Sequence, residues 1–235
     1  MSNTNIIKYS DFNASLINFD VPKMNRAGGK MVYLSYGPQK QRIFVQTPVV
    51  PLPFGVSPYA DKQSGAIQSY SVDLAFKDLE TNANTKLFYD KMKELDKVLV
   101  SEGVKRSAEW FGKIKAKETI NDNYRELVKE PKDSKYSDTM KVKILWNREK
   151  DEFASEFYDE KKQKVDKDYV IKGSTARMLL ELKAVWFVGS SSFGVTFSLI
   201  QLGVSSRPQK FVGFALQDED EDDSYTADEH LLDDF

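Results

Sequence analysis

The stretch ARMLLELKAVWFVGSSSFGVTFSLIQLGV, residues 176–204, decides the fold class. Its first half places one set of hydrophobic side chains at a period of two: Met178, Leu180, Leu182, Ala184 and Trp186. A helix could hold the same composition, but alternation is typical of a strand with one buried face. A Gly/Ser turn then leads into a second alternating run. We therefore predict a β-hairpin, with Trp186 on its buried side together with the later Phe197.

Working outward, four further segments show strand patterns. They are KMVYLSYG (30–37), RIFVQTPVV (42–50), SYSVDLAF (69–76) and MKVKILWN (140–147). The first two are separated by the length of a hairpin turn, and Phe76 is expected in the core. The three prolines of 51–61 predict an ordered loop. Residues 1–29 predict an arm or one edge strand, and the charged stretch 147–167 predicts a strand pair or a long loop.

Between the third and fourth strands the hydrophobic period changes to that of a helix. Apolar residues recur at helical spacing between Asn84 and Glu102. Asn84 or Thr85 is the expected N-terminal cap, and Gly103 is expected to end the helix. A second helical stretch is predicted around Ile120 to Val128.

This order of elements predicts a mainly β (α+β) fold. It matches a five-stranded Greek-key barrel of the OB-fold type, with a helical insert around 84–130 between strands 3 and 4. The expected domains are an arm (1–29), the OB-fold domain (30–210) and a disordered acidic tail (211–235).

The charge of the chain is divided between its body and its C-terminal end. The whole sequence has 34 Lys and Arg against 36 Asp and Glu, a net charge of -2. Ten of those acids lie in residues 218–235, so residues 1–217 keep 26 acids against all 34 bases, a net charge of +8. A basic body with an anionic end suits a protein that binds a polyanion and releases it.

Composition excludes several kinds of chemistry. There is no Cys, and the single His, His230, lies in the acidic tail. Thiol catalysis, a catalytic triad with His and a His-ligated zinc site in the body are therefore not expected. No phosphate-binding glycine loop occurs. No run approaches the roughly 18 apolar residues that a membrane span needs, and residues 1–12 lack the pattern of a secretory signal. We expect an intracellular protein with no cofactor, no metal and no membrane partner.

Basic and aromatic residues alternate along the predicted strands, and this pattern indicates single-stranded nucleic acid. Cations neutralise phosphates, and exposed rings stack on bases. The candidate phosphate-binding residues are Arg42, Lys141, Lys143, Arg177 and Lys183. The candidate stacking residues are Tyr36, Phe44 and Trp146. The alternative for each is ordinary: a ring in a strand usually packs in the core, and a cation usually only solvates an exposed face.

The tail ends in LLDDF, residues 231–235. An acidic terminus is most often a solubilising extension, but that role gives no use to a terminal ring. Acids that imitate phosphates and a ring that imitates a base would let the tail occupy a nucleic-acid groove or a partner's cationic pocket. The residues proposed for this role are Asp218, Glu219, Asp220, Glu221, Asp222, Asp223, Asp233, Asp234 and Phe235.

Taken in order, these segments resemble the single-stranded-DNA-binding proteins of the T-seven phage type, in particular the branch in nucleocytoplasmic large DNA viruses. The resemblance is carried by VPLPFGVSPYAD (50–61), the strand and helix through Leu99, the Gly-Ser-led hairpin 172–204 and the acidic tail ending in Phe. It covers roughly residues 30–204 and the tail. The Lys-rich insert 103–135 and the stretch 147–167 have no counterpart in the family.

The resemblance implies an OB-fold core that coats single-stranded DNA in viral replication, recombination and repair, in the host cytoplasm or nucleus. It also implies a tail that contacts DNA polymerase and helicase-primase and competes with DNA, and it allows a homodimer. Two other functions remain open. One is a magnesium-dependent nuclease or nucleotidyl transferase using Asp151/Glu152 or Asp218/Glu219. The other is a structural virion or chaperone-like protein.

Overall fold

The computed structural model describes residues 5–25, 28–189 and 192–208. The acidic tail, with every residue proposed for partner binding from Asp218 to Phe235, lies outside the described residues.

The chain is mainly β, with helices between its seventh and eighth strands. The strands are β1 (Ile6–Lys8), β2 (Ile17–Met24), β3 (Lys30–Tyr36), β4 (Ile43–Gln46), β5 (Val50–Leu52), β6 (Val56–Ala60), β7 (Ile67–Ala75), β8 (Tyr124–Arg125), β9 (Val128–Lys129), β10 (Thr139–Ile144), β11 (Trp146–Asn147), β12 (Glu152–Phe153), β13 (Glu156–Tyr158), β14 (Lys164–Val165), β15 (Ser174–Val188) and β16 (Ser192–Ser206). The helices are α1 (Ala83–Lys105), α2 (Ser107–Phe111) and α3 (Lys117–Asn123), with two short 3-10 turns at Ala14–Leu16 and Lys167–Tyr169.

The β15–β16 hairpin forms the centre of the structure, which confirms the prediction for residues 176–204. Its two antiparallel strands pair along nearly their whole length. On one side β15 pairs with β3, β4 and β5, and on the other β16 pairs in parallel with β10. The main path through the sheet runs β1-β4-β15-β16-β10-β7-β6.

The mainly β class and the helical insert are confirmed, but the sheet differs from the predicted five-stranded barrel. Among the described residues the sheet has 14 strands, and its main path does not close on itself. Several strands have only two or three residues, too few to show a period of two in a sequence. The predicted loop 51–61 contains part of β5 and the edge strand β6. The predicted turn between β3 and β4 is present, but β3 pairs mainly with β2 and β4 pairs mainly with β15.

The predicted helix is confirmed, although both of its predicted ends are wrong. Helix α1 begins after Asn82, whose side chain accepts a hydrogen bond from the Thr85 amide at 3.1 Å. It continues past Gly103 to Lys105. Gly103 is buried, and a Cβ there would lie 3.1 Å from Phe193 and 3.2 Å from Ile120. This glycine therefore allows close packing and does not end the helix.

The helices are packed into the core through a cluster of aromatic rings. Trp110 of α2 is 1 % exposed, and its ring centroid lies 5.8 Å from Phe19 of β2 and 5.7 Å from Phe187 of β15. The segment predicted as an arm or edge strand thus contains two strands, β1 and β2, with Phe12 fully buried. The helical segment and the N-terminal strands share one hydrophobic core with the sheet.

A β-bulge in β15 reverses the alternation that the sequence shows. Leu182 pairs with Phe197, but the next paired residue, Val185, faces Val195, so the register shifts between them. Val185 and Phe187 are buried beyond the bulge, and Trp186 is only half-buried. The prediction of a buried Trp186 is therefore wrong, while Phe76 and Phe197 are buried as predicted. An extra residue in one strand turns every later side chain to the other face.

Candidate nucleic-acid interface

One face of the central sheet points away from the core, and we call it the outer face. A single row of paired residues crosses it from β4 to β7: Phe44, Glu181, Ser198, Lys143 and Ser71. Directly paired residues share a face, so these five side chains point the same way. The neighbouring row, Val45, Leu180, Leu199 and Ile144, is buried on the opposite side. Period two adds Arg177, Lys183 and Lys141 to the outer face.

The acids of the outer face are paired, and several of its cations are not. Arg42 bonds Glu181 at 2.7 Å, and Lys141 lies 3.5 Å from Asp73. Within the part of the chain that the structure describes, Lys143, Arg177 and Lys183 have no ion pair. All three are exposed. The outer face therefore carries three positive charges that no neighbouring carboxylate neutralises, and it attracts anions.

Two aromatic side chains are available on the outer face beside these cations. Trp186 points outward beyond the bulge, and its indole nitrogen donates to the Thr196 hydroxyl at 3.0 Å. Tyr33 of β3 is paired with Ala184, so it is a diagonal neighbour of Trp186, about 7–8 Å away. Both are half-buried. Rings held in this way keep a face for stacking while their mobility is restricted.

Phe44 is present on the outer face but covered. Its ring is 6 % exposed, and the Arg42 guanidinium lies 4.7 Å from its centroid. The same guanidinium binds Glu181 through two nitrogens, at 3.0 and 2.7 Å. Arg42 therefore holds a fixed position, with its side chain 70 % exposed above the ring.

Two open grooves of the outer face each contain one of its outward-facing rings, and a third groove, of ≈ 520 Å³, has Arg177 beside Tyr158, Asp159 and Glu160. The first, of ≈ 700 Å³, has Trp186, Thr196 and Lys141 on one side and Arg125 and Lys129 on the other. We call it the Trp186 groove. The second, of ≈ 240 Å³, is lined by Tyr33, Arg42 and Lys183 among others. Each of the first two grooves thus combines a ring with cations, the pair of residue types that unpaired nucleotides require.

The structure places six of the eight predicted DNA-binding residues on the outer face: Arg42, Phe44, Lys141, Lys143, Arg177 and Lys183. Tyr36 and Trp146 lie elsewhere. Tyr36 stacks on the buried Phe12 with ring centroids 6.0 Å apart, and its hydroxyl accepts a hydrogen bond from the Asn13 amide. Trp146 packs against Tyr70, 5.0 Å away, on the side of β10 opposite to Lys143.

Four residues of the grooves were not among the predicted set: Tyr33, Arg125, Lys129 and Trp186. Tyr33 could have been found, because it alternates with the buried Val32 and Leu34. Trp186 could not, since the bulge leaves no mark in the hydrophobic pattern. Arg125 and Lys129 belong to two-residue strands, which carry no period at all.

Of the carboxylates proposed for metal-dependent chemistry, Asp151 and Glu152 are exposed. Asp151 accepts a hydrogen bond from the Trp146 indole at 2.9 Å, and Glu152 lies on the two-residue strand β12. In the described ranges no three Asp, Glu or His side chains come together as metal ligands would. Asp218 and Glu219 lie outside those ranges. No helix in the described ranges is long and apolar enough to cross a membrane.

Close backbone packing under Trp186 shapes its groove. A Cβ at Gly194 would lie 2.9 Å from both the Arg125 carbonyl oxygen and the Trp186 ring. We predict that Gly194→Ala lowers the free energy of unfolding by about 1–3 kcal/mol, because overpacking displaces one of these neighbours. The indole should also become more exposed, which a red shift of the tryptophan emission would report.

Gly203 on the same strand provides a matched control for Gly194→Ala. A Cβ there would have its nearest neighbour, the Arg177 carbonyl oxygen, at 4.0 Å, an ordinary contact. Gly203→Ala should leave the emission spectrum unchanged and the stability within about 1 kcal/mol of the wild type. Equal effects of the two substitutions would contradict the packing described here.

The far wall of the Trp186 groove is tied to helix α1 by a buried carboxylate. Asp96 Oδ1 accepts from the Tyr124 hydroxyl at 2.6 Å and from the Leu127 amide at 3.0 Å. Burial raises the pKa of Asp96 above its usual value of 3.8, against the effect of these hydrogen bonds. Burial of its ring raises the pKa of Tyr124, and the neighbouring Asp96 carboxylate raises it further.

The raised pKa of Asp96 gives stability a pH dependence of known sign. Between the unfolded pKa and the higher folded pKa, only the unfolded chain loses this proton, so rising pH favours unfolding. We predict that the free energy of unfolding of the wild type, relative to Asp96→Asn, falls as pH rises from about 4 to 7. Urea denaturation across this range measures the difference. A difference that is constant with pH would contradict the prediction.

Comparison with known families gives one assignment. Residues 72–213 match the model of the family described as "Family of unknown function (DUF5871)". The chain belongs to this family. The match spans β7, the helices and the central hairpin, and so includes most of the outer face. No curated protein matches the sequence.

The solved structures that resemble this chain include proteins of two bacteriophages. The single-stranded DNA binding protein gp2.5 of bacteriophage T7 has a TM-score of 0.44 and 13 % identity, over 74 % of this chain and 98 % of its own. The single-stranded DNA-binding protein of bacteriophage Enc34, in complex with ssDNA, has 0.41 and 10 %, over 82 % and 98 %. Without DNA, the Enc34 protein has 0.42 and 11 %, over 85 % and 96 %. These likenesses are distant, so a function for this chain depends on its own surface.

Proposed function

We propose that the chain is a non-catalytic, sequence-tolerant single-stranded-DNA-binding protein, and that the outer face is its binding surface. The observation that carries the proposal is the meeting of unpaired cations and outward-facing rings on one rigid sheet. Lys143, Arg177 and Lys183 lack carboxylate partners in the described structure, and Trp186 and Tyr33 lie on the same face, with Lys183 and Tyr33 in one groove. Cations supply phosphate contacts, and rings supply stacking worth about 1–3 kcal/mol for each base.

This arrangement favours unpaired strands over duplexes. A ring can stack only on a base that is free of its complementary strand, while the cations attract phosphates of either form. Within the described structure, four polar groups of the outer face are paired with each other in two ion pairs, Arg42 with Glu181 and Lys141 with Asp73. Because these paired groups are not free to bond base edges, we expect binding to tolerate different base sequences.

The finer assignments extend this proposal. We place the protein with the T-seven phage type, in the branch of nucleocytoplasmic large DNA viruses, acting in replication, recombination and repair inside the host cell. The outer face would then correspond to the binding face of an OB-fold. DNA polymerase, helicase-primase and a second copy of the chain are the proposed protein partners. Support for these assignments is the order of sequence segments described above.

The proposal is tested by the binding of labelled single-stranded and double-stranded oligonucleotides of about 20 nucleotides, titrated with salt. We expect the single strand to bind at least about tenfold more tightly, since stacking of two bases adds to the phosphate contacts. Equal or tighter binding of the duplex, or no binding near 0.15 M salt (about the physiological value), would refute the proposal. Cleavage of the strand that requires magnesium and one carboxylate would favour the nuclease instead.

We also propose that the acidic tail competes with DNA for the outer face. Only the sequence supports this proposal. The tail has ten acids and a terminal Phe235, whereas residues 1–217 carry a net charge of +8. Deletion of residues 217–235 is expected to tighten binding of single-stranded DNA, with a larger gain at low salt. Isothermal titration of both proteins at two salt concentrations measures this effect. Unchanged or weaker affinity of the shortened protein would count against competition.

A further inference from the structure

Another groove, separate from those of the outer face described above, lies beside helix α1, and we call it the helix groove. It measures ≈ 740 Å³ and runs between α1 and α3. Its rim carries the cations Lys97, Lys105 and Lys117, and its apolar wall is formed by Val100 and Val104. The volume lies in the range that small ligands and single nucleotides occupy. Cations above an apolar wall suit a chain of phosphates with bases attached.

The helix groove adjoins the Trp186 groove. Tyr124 and Glu126 line both of them, so the two meet at the start of β8. The junction is rigid, because the Tyr124 hydroxyl is bonded to Asp96 of α1 and the Tyr124 ring lies 5.2 Å from Phe193 of the hairpin. A strand leaving the outer face past Trp186 and Arg125 therefore reaches the helix groove at Tyr124 and Glu126.

Two cations of the helix groove have no evident structural purpose. Lys97 and Lys117 are exposed and make no ion pair in the described part of the chain. Lys117 is the first residue of α3, where a positive charge opposes the helix dipole. Lys105, by contrast, lies 3.3 Å from Glu102. A positive charge that does not stabilise its own helix remains available to attract an external anion.

We propose that the helix groove extends the path of single-stranded DNA beyond the outer face, with Lys97 and Lys117 as phosphate contacts. The proposal rests on the function proposed above and adds a second section to the binding site. A short oligonucleotide would fill the outer face alone. A longer one would continue past Glu126 between α1 and α3.

The test compares oligonucleotides of about 6 and about 20 nucleotides on the full chain. Lys97→Ala/Lys117→Ala should weaken binding of the long strand about tenfold near 0.2 M salt and reduce its salt slope by about 1.4, the value for two lost contacts. Binding of the short strand should change less than about twofold. Lys77→Ala/Lys132→Ala, which removes two exposed loop lysines, is the control of equal charge and should leave both lengths unchanged.

Glu126→Gln gives an independent test with the opposite sign. It removes a negative charge that lines both grooves at their junction, and should tighten binding of the long strand about threefold and that of the short strand by less. The extension is wrong if the lysine variant leaves the long strand unaffected, or if it weakens both lengths equally. If the wild type binds neither length, the proposed function itself fails. Short-strand binding by all variants with no length-dependent change would refute only the extension.

Discussion

Replacing Lys143, Arg177 and Lys183 together with alanine is expected to weaken binding of single-stranded DNA about 30-fold near 0.2 M salt. Each phosphate contact on a single strand releases roughly 0.7 counterion, so three lost contacts lower the salt slope by about 2. All three side chains are exposed and without ion pairs in the described structure, so stability should hardly change. Fluorescence anisotropy at several salt concentrations measures both quantities.

A triple variant of equal charge controls for the loss of net charge in this experiment. Lys77, Lys132 and Lys150 are exposed and lie on loops, outside the strands that form the outer face. Their replacement with alanine should change the affinity less than about threefold. If both triple variants weaken binding equally, attraction is a property of net charge, and the outer face has no special part in it.

Trp110→Ala is expected to lower the free energy of unfolding by about 3–5 kcal/mol. The ring is 1 % exposed and contacts Phe19, Phe187 and Phe193, so its removal leaves a cavity where α2, β2 and the hairpin meet. Urea denaturation measures the loss. A value below about 1 kcal/mol would show that the helical segment is not part of the main core.

Trp110→Phe separates loss of packing from loss of the indole N–H. That N–H is buried without a hydrogen-bond partner, so removing it relieves an unsatisfied donor. A smaller ring still fills most of the space, and we expect a loss below about 1.5 kcal/mol. Loss as large as that of Trp110→Ala would mean that the site does not tolerate any change of shape.

The sequence could predict the centre of this fold because long strands and long helices carry a clear period. The β15–β16 hairpin and helix α1 were both found in this way. Lys141 and Lys143, and Arg177 and Lys183, were assigned to exposed faces by the same period of two. In the folded sheet all four cations lie on one face. This depends on pairings between strands far apart in the chain, which the sequence does not show.

Other features depended on packing that no local pattern reports. Trp186 lies outward because one bulge reverses the alternation of β15. Gly103 lies inside α1 because Phe193 and Ile120 approach it closely. Tyr36 and Trp146 have the composition of stacking residues, but neighbouring rings and hydrogen bonds hold them elsewhere. The many short strands around the hairpin are stabilised by their neighbours, and their own sequences show no strand period.

Photocrosslinking tests most directly whether single-stranded DNA lies on the outer face. The full chain would be irradiated with a thymidine oligonucleotide of about 20 nucleotides that carries 5-iodouracil, and the linked peptides would be mapped by mass spectrometry. We expect crosslinks at Trp186 or Tyr33, removed by unlabelled single strand and not by duplex. Crosslinks confined to Trp146, which packs against Tyr70 on the side of β10 opposite to Lys143, would contradict this assignment.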